Sequence, residues 1–397
     1  MSRVAFKMLT GDGAKFAGIV LGLTFSALLI TQQGSIFCGI MLRTAAQITD
    51  IGGADLWVMD PTVGNIDDVK PMKEDSLYRV RGVDGVLWAV PLYKGISRAR
   101  LAFDDRATGR RREVIEQAIL LGLDDVSLAG APRHLYVGDV GDLWKPDAVI
   151  VDKVGLRKLF PGQGGESAGT VDELRRFLGR ELEMNDRRAV IVGICETTRT
   201  FQSNPVIYTT CSRAQDFAPQ ERKPLSYILA KAEPGRDPRE VARRITLRTG
   251  LGAATSDEFK WMTMKYYLMY TGIPVNFGVT TLLGFLVGTA IAGQTFYNFT
   301  IENLKQFGVL KAMGLTNRRI VRMILLQATV VGLIGYGLGV GLAGLIGLLT
   351  RGTELAFFTP WQLLPITGGA IVLICIFASL LSLGRVIRLE PAVVFRG

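Results

Sequence analysis

One histidine, His134, occurs in 397 residues. It stands in Ala131-Pro132-Arg133-His134, with no cysteine or acidic cluster beside it in sequence. That argues against a histidine-built metal site and leaves a catalytic base without a nucleophile. No G-x-x-x-x-G-K-[ST] stretch is present, so the chain has no phosphate-cradling loop of that kind. Gly162-Gln163-Gly164-Gly165 lacks the following lysine, and Gly162–Gly169 has too little apolar surface to pack, so it reads as a surface loop. We assign no catalytic residue, no metal and no cofactor to this chain. Cysteine is scarce, with four in all. Cys38 and Cys375 lie in apolar runs and read as small apolar side chains. Cys195 and Cys211 fall in a stretch of soluble composition, where an oxidising compartment would permit a disulfide. That pairing stays open, because sequence does not give the Cα geometry it needs.

Charge is missing from four long runs: Phe16–Leu42, Tyr266–Ile301, Met323–Thr350 and Leu355–Gly384. Each exceeds the roughly 20 residues that cross a hydrocarbon core about 30 Å thick. The first is too long for a signal peptide and is followed by no small-residue cleavage pattern. None has an ionisable group inside, which argues against an ion-coupled carrier. The second, as one helix, would extend roughly 54 Å, so tilt or extension beyond the membrane must absorb the excess. Trp261, Tyr266, Tyr267 and Tyr270 near its start fit an interfacial belt. Gly284 with Gly288, Gly335 with Gly339, and Gly337 with Gly341 have the spacing that lets helices approach closely, within the bundle or across a dimer.

What is present is positive charge, net +10, unevenly placed. Arg43–Lys265 holds 34 basic and 32 acidic residues, so most of the excess flanks the apolar runs. Basic residues placed this way mark the cytoplasmic ends of spans and argue against a nucleic-acid partner. The expected layout is a cytoplasmic N-terminus (1–15), a first span (16–42), a periplasmic domain (43–265) and a second span (266–301). A cytoplasmic loop (302–322), a third span (323–350), a short periplasmic loop (351–354), a fourth span (355–384) and a cytoplasmic tail (385–397) complete it. The middle domain alternates short strands and helices, which gives an α+β fold. Strands are expected at 55–59, 83–90, 99–103, 114–121, 148–151, 189–193, 206–209 and 227–230. Helices are expected at 76–80, 154–159, 171–178 and 239–249. The fold class is therefore a membrane α-helical bundle of four transmembrane helices plus a large extracytoplasmic α+β domain.

The loop Glu302–Arg322 carries Lys305, Lys311, Arg318, Arg319 and Arg322 against Glu302. Leu304, Phe307, Val309, Leu310 and Met313 recur at helical spacing, giving one apolar face. Gly314 is placed to stop this helix, and Thr316-Asn317 to cap the next. Gly308 and Gly314 would allow a partner's backbone to come close.

The segment Glu302–Gly314 resembles the loop of MacB/FtsX-type (type VII) ABC transporter permeases, which reads E-R-x-x-E-I-G-x-x-R-A-x-G. Glu302, Gly308, Ala312 and Gly314 match, and Lys311 keeps the charge. Asn303, Gln306 and Phe307 depart from the usual Arg, Glu and Ile. Arg388-Leu389-Glu390-Pro391-Ala392 is similar to the family's ending, and Ala54-Asp55-Leu56-Trp57-Val58-Met59 resembles the DevC-like branch. The resemblance implies a porter-like outer domain with a small inserted subdomain around Gly162–Gly169. It also implies a homodimeric inner-membrane permease, itself not an enzyme, whose separate ABC ATPase subunit binds ATP and Mg. ATPase coupling would fall to Glu302, Lys305, Gln306, Gly308, Lys311, Ala312, Met313 and Gly314. Efflux by mechanotransmission with a periplasmic adaptor (a membrane fusion protein) and an outer-membrane channel is the leading expectation, with membrane lipids around the spans. The alternatives are an FtsX-like signal transmitter regulating an envelope enzyme, and lipoprotein or lipid extraction.

Overall fold

A computed structural model describes residues 8–104, 111–161, 164–165, 169–201, 203–218, 225–351 and 353–387. Most of the Gly162–Gly169 loop, residues 105–110 in the charged connection between the expected strands 99–103 and 114–121, and the tail motif Arg388–Ala392 lie outside the described residues. The chain divides into two compact units, Met41–Thr271 and a membrane unit made of the first 40 residues with 272–397.

Helix α1 (Gly13–Thr44) is followed by the short α2 (Ala46–Asp50). The large domain continues with β1 (Leu56–Met59), α3 (Asp75–Arg81), β2 (Val86–Asp104), β3 (Arg111–Leu123), β4 (His134–Val137) and β5 (Ala148–Asp152). Then come α4 (Lys153–Leu159), α5 (Val171–Arg175), β6 (Glu181–Met184), β7 (Arg187–Glu196), β8 (Val206–Thr210) and α6 (Cys211–Phe217). The domain closes with β9 (Tyr227–Ala232), α7 (Pro238–Thr249), β10 (Gly252–Thr255) and α8 (Ser256–Tyr270).

The strands follow the order β10-β1-β9-β2-β3-β8-β5-β7-β4, with β6 paired to β2 and β7. Most pairs are antiparallel, while β3–β8 and β5–β7 are parallel. β5 and β8 are buried along their whole length, as strands covered on both faces must be. The two expected strands 83–90 and 99–103 are one strand, β2. Its first part pairs with β9 and its second with β3, so the chain passes through Pro91 without turning. Local chemistry sets the helix ends. Asp237 accepts from the Arg239 N–H to start α7, and Gly250 at φ +71° ends it. Thr255 and Glu258 form a capping box on α8. Trp57, Tyr227 and Phe259 pack edge-on or tilted in one core, and Phe160 and Phe177 in another.

The membrane unit contains α9 (Ile273–Glu302), α10 (Leu304–Ala312), α11 (Asn317–Leu349) and α12 (Leu363–Ile387), with the greater part of α1. Four of its helices are long and apolar enough to cross a membrane: α1, α9, α11 and α12. The expected run 266–301 is divided: Tyr266–Tyr270 end α8, and α9 begins after Thr271-Gly272 with Pro274 in its first turn. Proline lacks the N–H that would join the two helices, and this break removes the excess length. The fourth helix starts at Leu363 rather than 355, because Pro360 precedes it and Leu355–Pro360 are not helical.

Candidate functional site: the basic helix and its supports

The expected coupling residues sit on and around α10. Asn303, at φ −92° and ψ 11°, separates it from α9, and its side-chain amide donates to the Phe299 carbonyl at 2.8 Å. At the other end Gly314 has φ +90°. Its N–H donates to the Lys311 carbonyl (2.9 Å), and the Leu315 N–H to the Leu310 carbonyl (3.1 Å). These two bonds form a Schellman stop, and only glycine adopts that φ at little cost. Thr316 takes the extended N-cap conformation before α11, but its side chain makes no capping hydrogen bond.

The two faces of α10 differ from the expected pattern. Phe307 is fully buried on Ile320, Met323 and Ile324 of α11, with Leu310 and Leu315 beside it. Gly308 is buried too, so it is not open to a partner as expected. Val309 and Met313, expected on the apolar inner face, are 44% and 67% exposed. They share the outer surface with Lys305, Gln306 and Ala312, while Lys311 is half-buried. The reason is spacing: Phe307 and Leu310, three residues apart, reach α11, whereas Val309 and Met313, two and six positions from Phe307, lie about 160° and 120° round the helix from it. Glu302 pairs with Lys15, which also pairs with Asp12 at 2.6 Å. The start of α1 and the end of α9 are thus tied by charge beside α10.

The packing glycines fall on α1. A Cβ on Gly284 would meet Leu29 at 3.2 Å, and one on Gly288 would collide with Ser26. On α11 a Cβ at Gly335 would lie 2.6 Å from that of Leu23, and at Gly339 2.5 Å from that of Ala27. Gly337 and Gly341 face open space. Both glycine pairs have the same spacing, but only the first faces a helix.

Cys195 and Cys211 are not bonded. Cys195 is paired in register with Asp152, near the start of β8, whereas Cys211 follows the end of β8. Five residues of strand, about 16 Å, separate those levels, which is beyond disulfide reach. Their side chains join different cores, and burial raises both thiols, Cys211 to about 12. His134 lines a polar recess of about 220 Å³ with Asp50, Arg133 and Glu196. Among the described residues no group of three or more His, Cys, Asp or Glu is placed to hold a metal.

Sequence reasoning missed the clasp that holds the 60–68 segment to the rest of the large domain. Lys94, only 7% exposed, donates to Asp67 Oδ1 (2.6 Å) and to the Ile66 carbonyl (2.8 Å). Tyr267 on α8 donates to Asp67 Oδ2 (3.0 Å), and Tyr227 to the Ile66 carbonyl (2.9 Å). The one early signal was the aromatic cluster around Tyr267, read as a membrane belt.

A helical membrane unit with four apolar helices, a short capped helix between the second and third, and a large α+β domain define a multi-pass membrane protein with a long extramembrane module. Residues 260–391 match the FtsX-like permease C-terminal family. An uncharacterized ABC transporter permease of Mycobacterium tuberculosis is 24% identical over 391 residues, 96% of this chain and 93% of the relative. Another, of Mycobacterium bovis, is 27% identical over 360 residues, 89% of this chain and 87% of the relative. Among solved structures, the periplasmic region of MacB from Actinobacillus actinomycetemcomitans aligns at 13% identity and a TM-score of 0.36, over 56% of this chain and 96% of that one. The extracellular domain of YknZ from Gram-positive bacteria aligns at 14% and 0.31, over 51% and 99%. Residues 260–391 thus carry an FtsX-like permease domain, and nearly the whole chain is similar to proteins named ABC transporter permeases.

Proposed function

We propose that this permease is a homodimeric inner-membrane subunit whose ATPase docks on the outer face of α10: Lys305, Gln306, Val309, Ala312 and Met313. An ABC transporter permease implies an ATPase partner, and ATP and Mg would be bound there. The observation that carries the reading is the construction of α10. It is broken from α9 at Asn303, stopped at Gly314, and anchored by Phe307 on the first turns of α11. Such a helix has little freedom to move apart from the helix that supports it, so a push on its exposed face passes into α11. Glu302, bridged to Lys15, supports this helix from behind. In this reading both termini and the basic helix are cytoplasmic and the large domain periplasmic. The stroke then drives efflux through an adaptor and an outer-membrane channel, as in the DevC-like branch.

The test is co-expression with the ATPase. Lys305→Glu and Met313→Glu change exposed side chains only, so each should leave the permease folded. The expected result is loss of co-purification and at least a tenfold fall in permease-stimulated ATP turnover. Normal co-purification and turnover in both variants would move the docking site elsewhere. Orientation is checked separately by impermeant thiol labelling of Val126→Cys, 83% exposed in the large domain, against Asn317→Cys.

A further inference from the structure

A groove of about 270 Å³ runs between α11 and α12, with Ala328, Gly332, Gly368 and Cys375 among its lining. Its polar atoms are already engaged. The Tyr336 hydroxyl donates to the Leu364 carbonyl at 3.2 Å, that of Thr329 to Leu325 at 2.9 Å, and the Cys375 thiol to Ala328 at 3.4 Å. A ligand there gains nothing from donors or acceptors of its own, so the groove selects hydrocarbon. Lining residues on α11 run from Leu325 to Tyr336. That is about 16 Å of helix, close to half of a hydrocarbon core about 30 Å thick. The groove is therefore as long as one leaflet is deep.

Charge complements that length. Arg318, Arg322, Leu325, Thr329, Leu333 and Tyr336 follow one stripe at helical spacing. The two arginines continue the groove's line past its Leu325 end, both are exposed, and neither pairs with a carboxylate among the described residues. We propose that the groove between α11 and α12 holds one acyl chain of an anionic bilayer phospholipid whose headgroup sits on Arg318 and Arg322. The bound lipid braces the first turns of α11, the same turns that seat Phe307. This needs only that α11 and α12 span a membrane. It does not need the ATPase contact, so either proposal can fail alone.

The experiment is native mass spectrometry of the full chain released from nanodiscs containing equal dioleoyl-phosphatidylglycerol and dioleoyl-phosphatidylcholine. The expected result is one phosphatidylglycerol retained per chain in clear preference to phosphatidylcholine. Arg318→Gln with Arg322→Gln should reduce that preference roughly 25-fold, from about 1 kcal/mol per basic residue at a lipid surface. Thr329→Phe, which fills the groove from an exposed position, should reduce retention of both lipids. Equal retention of the two lipids by the unaltered chain would overturn the proposal. So would full phosphatidylglycerol retention by Thr329→Phe. Loss of chain–chain association in Thr329→Phe with lipid retention unchanged would assign the groove to a second copy instead.

Discussion

The two units bury polar groups in opposite ways. In the membrane unit the buried hydroxyls mostly bond within their own helix. Ser26 donates to the Gly22 carbonyl (3.1 Å), Ser35 to Thr31 (2.7 Å) and Ser379 to Cys375 (2.7 Å). In the large domain the buried groups are ionisable or reach across the fold: Lys94 to Asp67, Asp152 to the Val206 N–H (2.7 Å), Thr209 to the Ala148 carbonyl (2.9 Å). The difference follows from solvent. A helix in lipid must satisfy its backbone internally, and its hydroxyls either in the same way or on a neighbouring helix, as Tyr336 does on Leu364, because lipid tails offer no partner. A domain in water can close a buried network through distant residues, and then depends on every member. The interior of the membrane unit is accordingly held by shape, and that of the large domain also by charge.

The largest effect should come from breaking the clasp unequally. Asp67→Ala leaves a 7%-exposed ammonium without its counter-ion, and should cost the large domain about 3 kcal/mol. Lys94→Met removes the buried charge and leaves Asp67, which is 45% exposed, in contact with water. It should cost less than half as much. Chemical denaturation of the full chain, followed by hydrogen exchange in β2 and β9, reads both. Equal losses would mean that the pair acts through packing and not through charge.

Asp152 tests the same contrast through pH. Burial raises its carboxyl from 3.8 to about 6, against the opposing N–H bonds from Val206, Gly155 and Val154. A carboxyl raised on folding favours the protonated native state. Its contribution is complete below about pH 4 and is lost as pH rises through 6, on the order of 2–3 kcal/mol in all. Asp152→Asn should flatten that part of the stability profile between pH 4 and 7, as hydrogen exchange in β5 and β8 would show. An unchanged slope would place the dependence on other groups.

How far the sequence disclosed this molecule follows the same division. Long uncharged runs announce spans because lipid tolerates little else, and Gly314 announces a stop because few residues adopt φ +90°. The face of α10 was half legible. Phe307 and Leu310 are inward as expected, but Val309 and Met313 turn out, since periodicity alone does not say how wide a stripe the support covers. Gly335 and Gly337 are two residues apart on one helix, and nothing local says that only the first meets α1. In the large domain the obstacles were long-range. β2 changes partners midway, and the Asp67–Lys94 and Asp152–Val206 contacts join residues 27 and 54 positions apart. No window of sequence contains such a pair.

The smallest predicted effect compares one hydroxyl from each unit. Thr209 Oγ1 bonds the Ala148 carbonyl across the sheet, at a site with no solvent exposure. Thr209→Val keeps the shape and removes a bond to a buried carbonyl that retains only the Arg213 guanidinium at 3.2 Å, which should cost about 1 kcal/mol. Ser379 Oγ bonds the carbonyl of Cys375 on its own helix. That carbonyl is also placed to accept the amide of residue 379, so Ser379→Ala removes only the second of two bonds. The expected cost is about 0.6 kcal/mol, read as a small shift in the thermal midpoint of the full chain in detergent. A Ser379 loss as large as the Thr209 loss would mean that this hydroxyl reaches a neighbouring helix in the membrane, and that the membrane unit is held by more than shape.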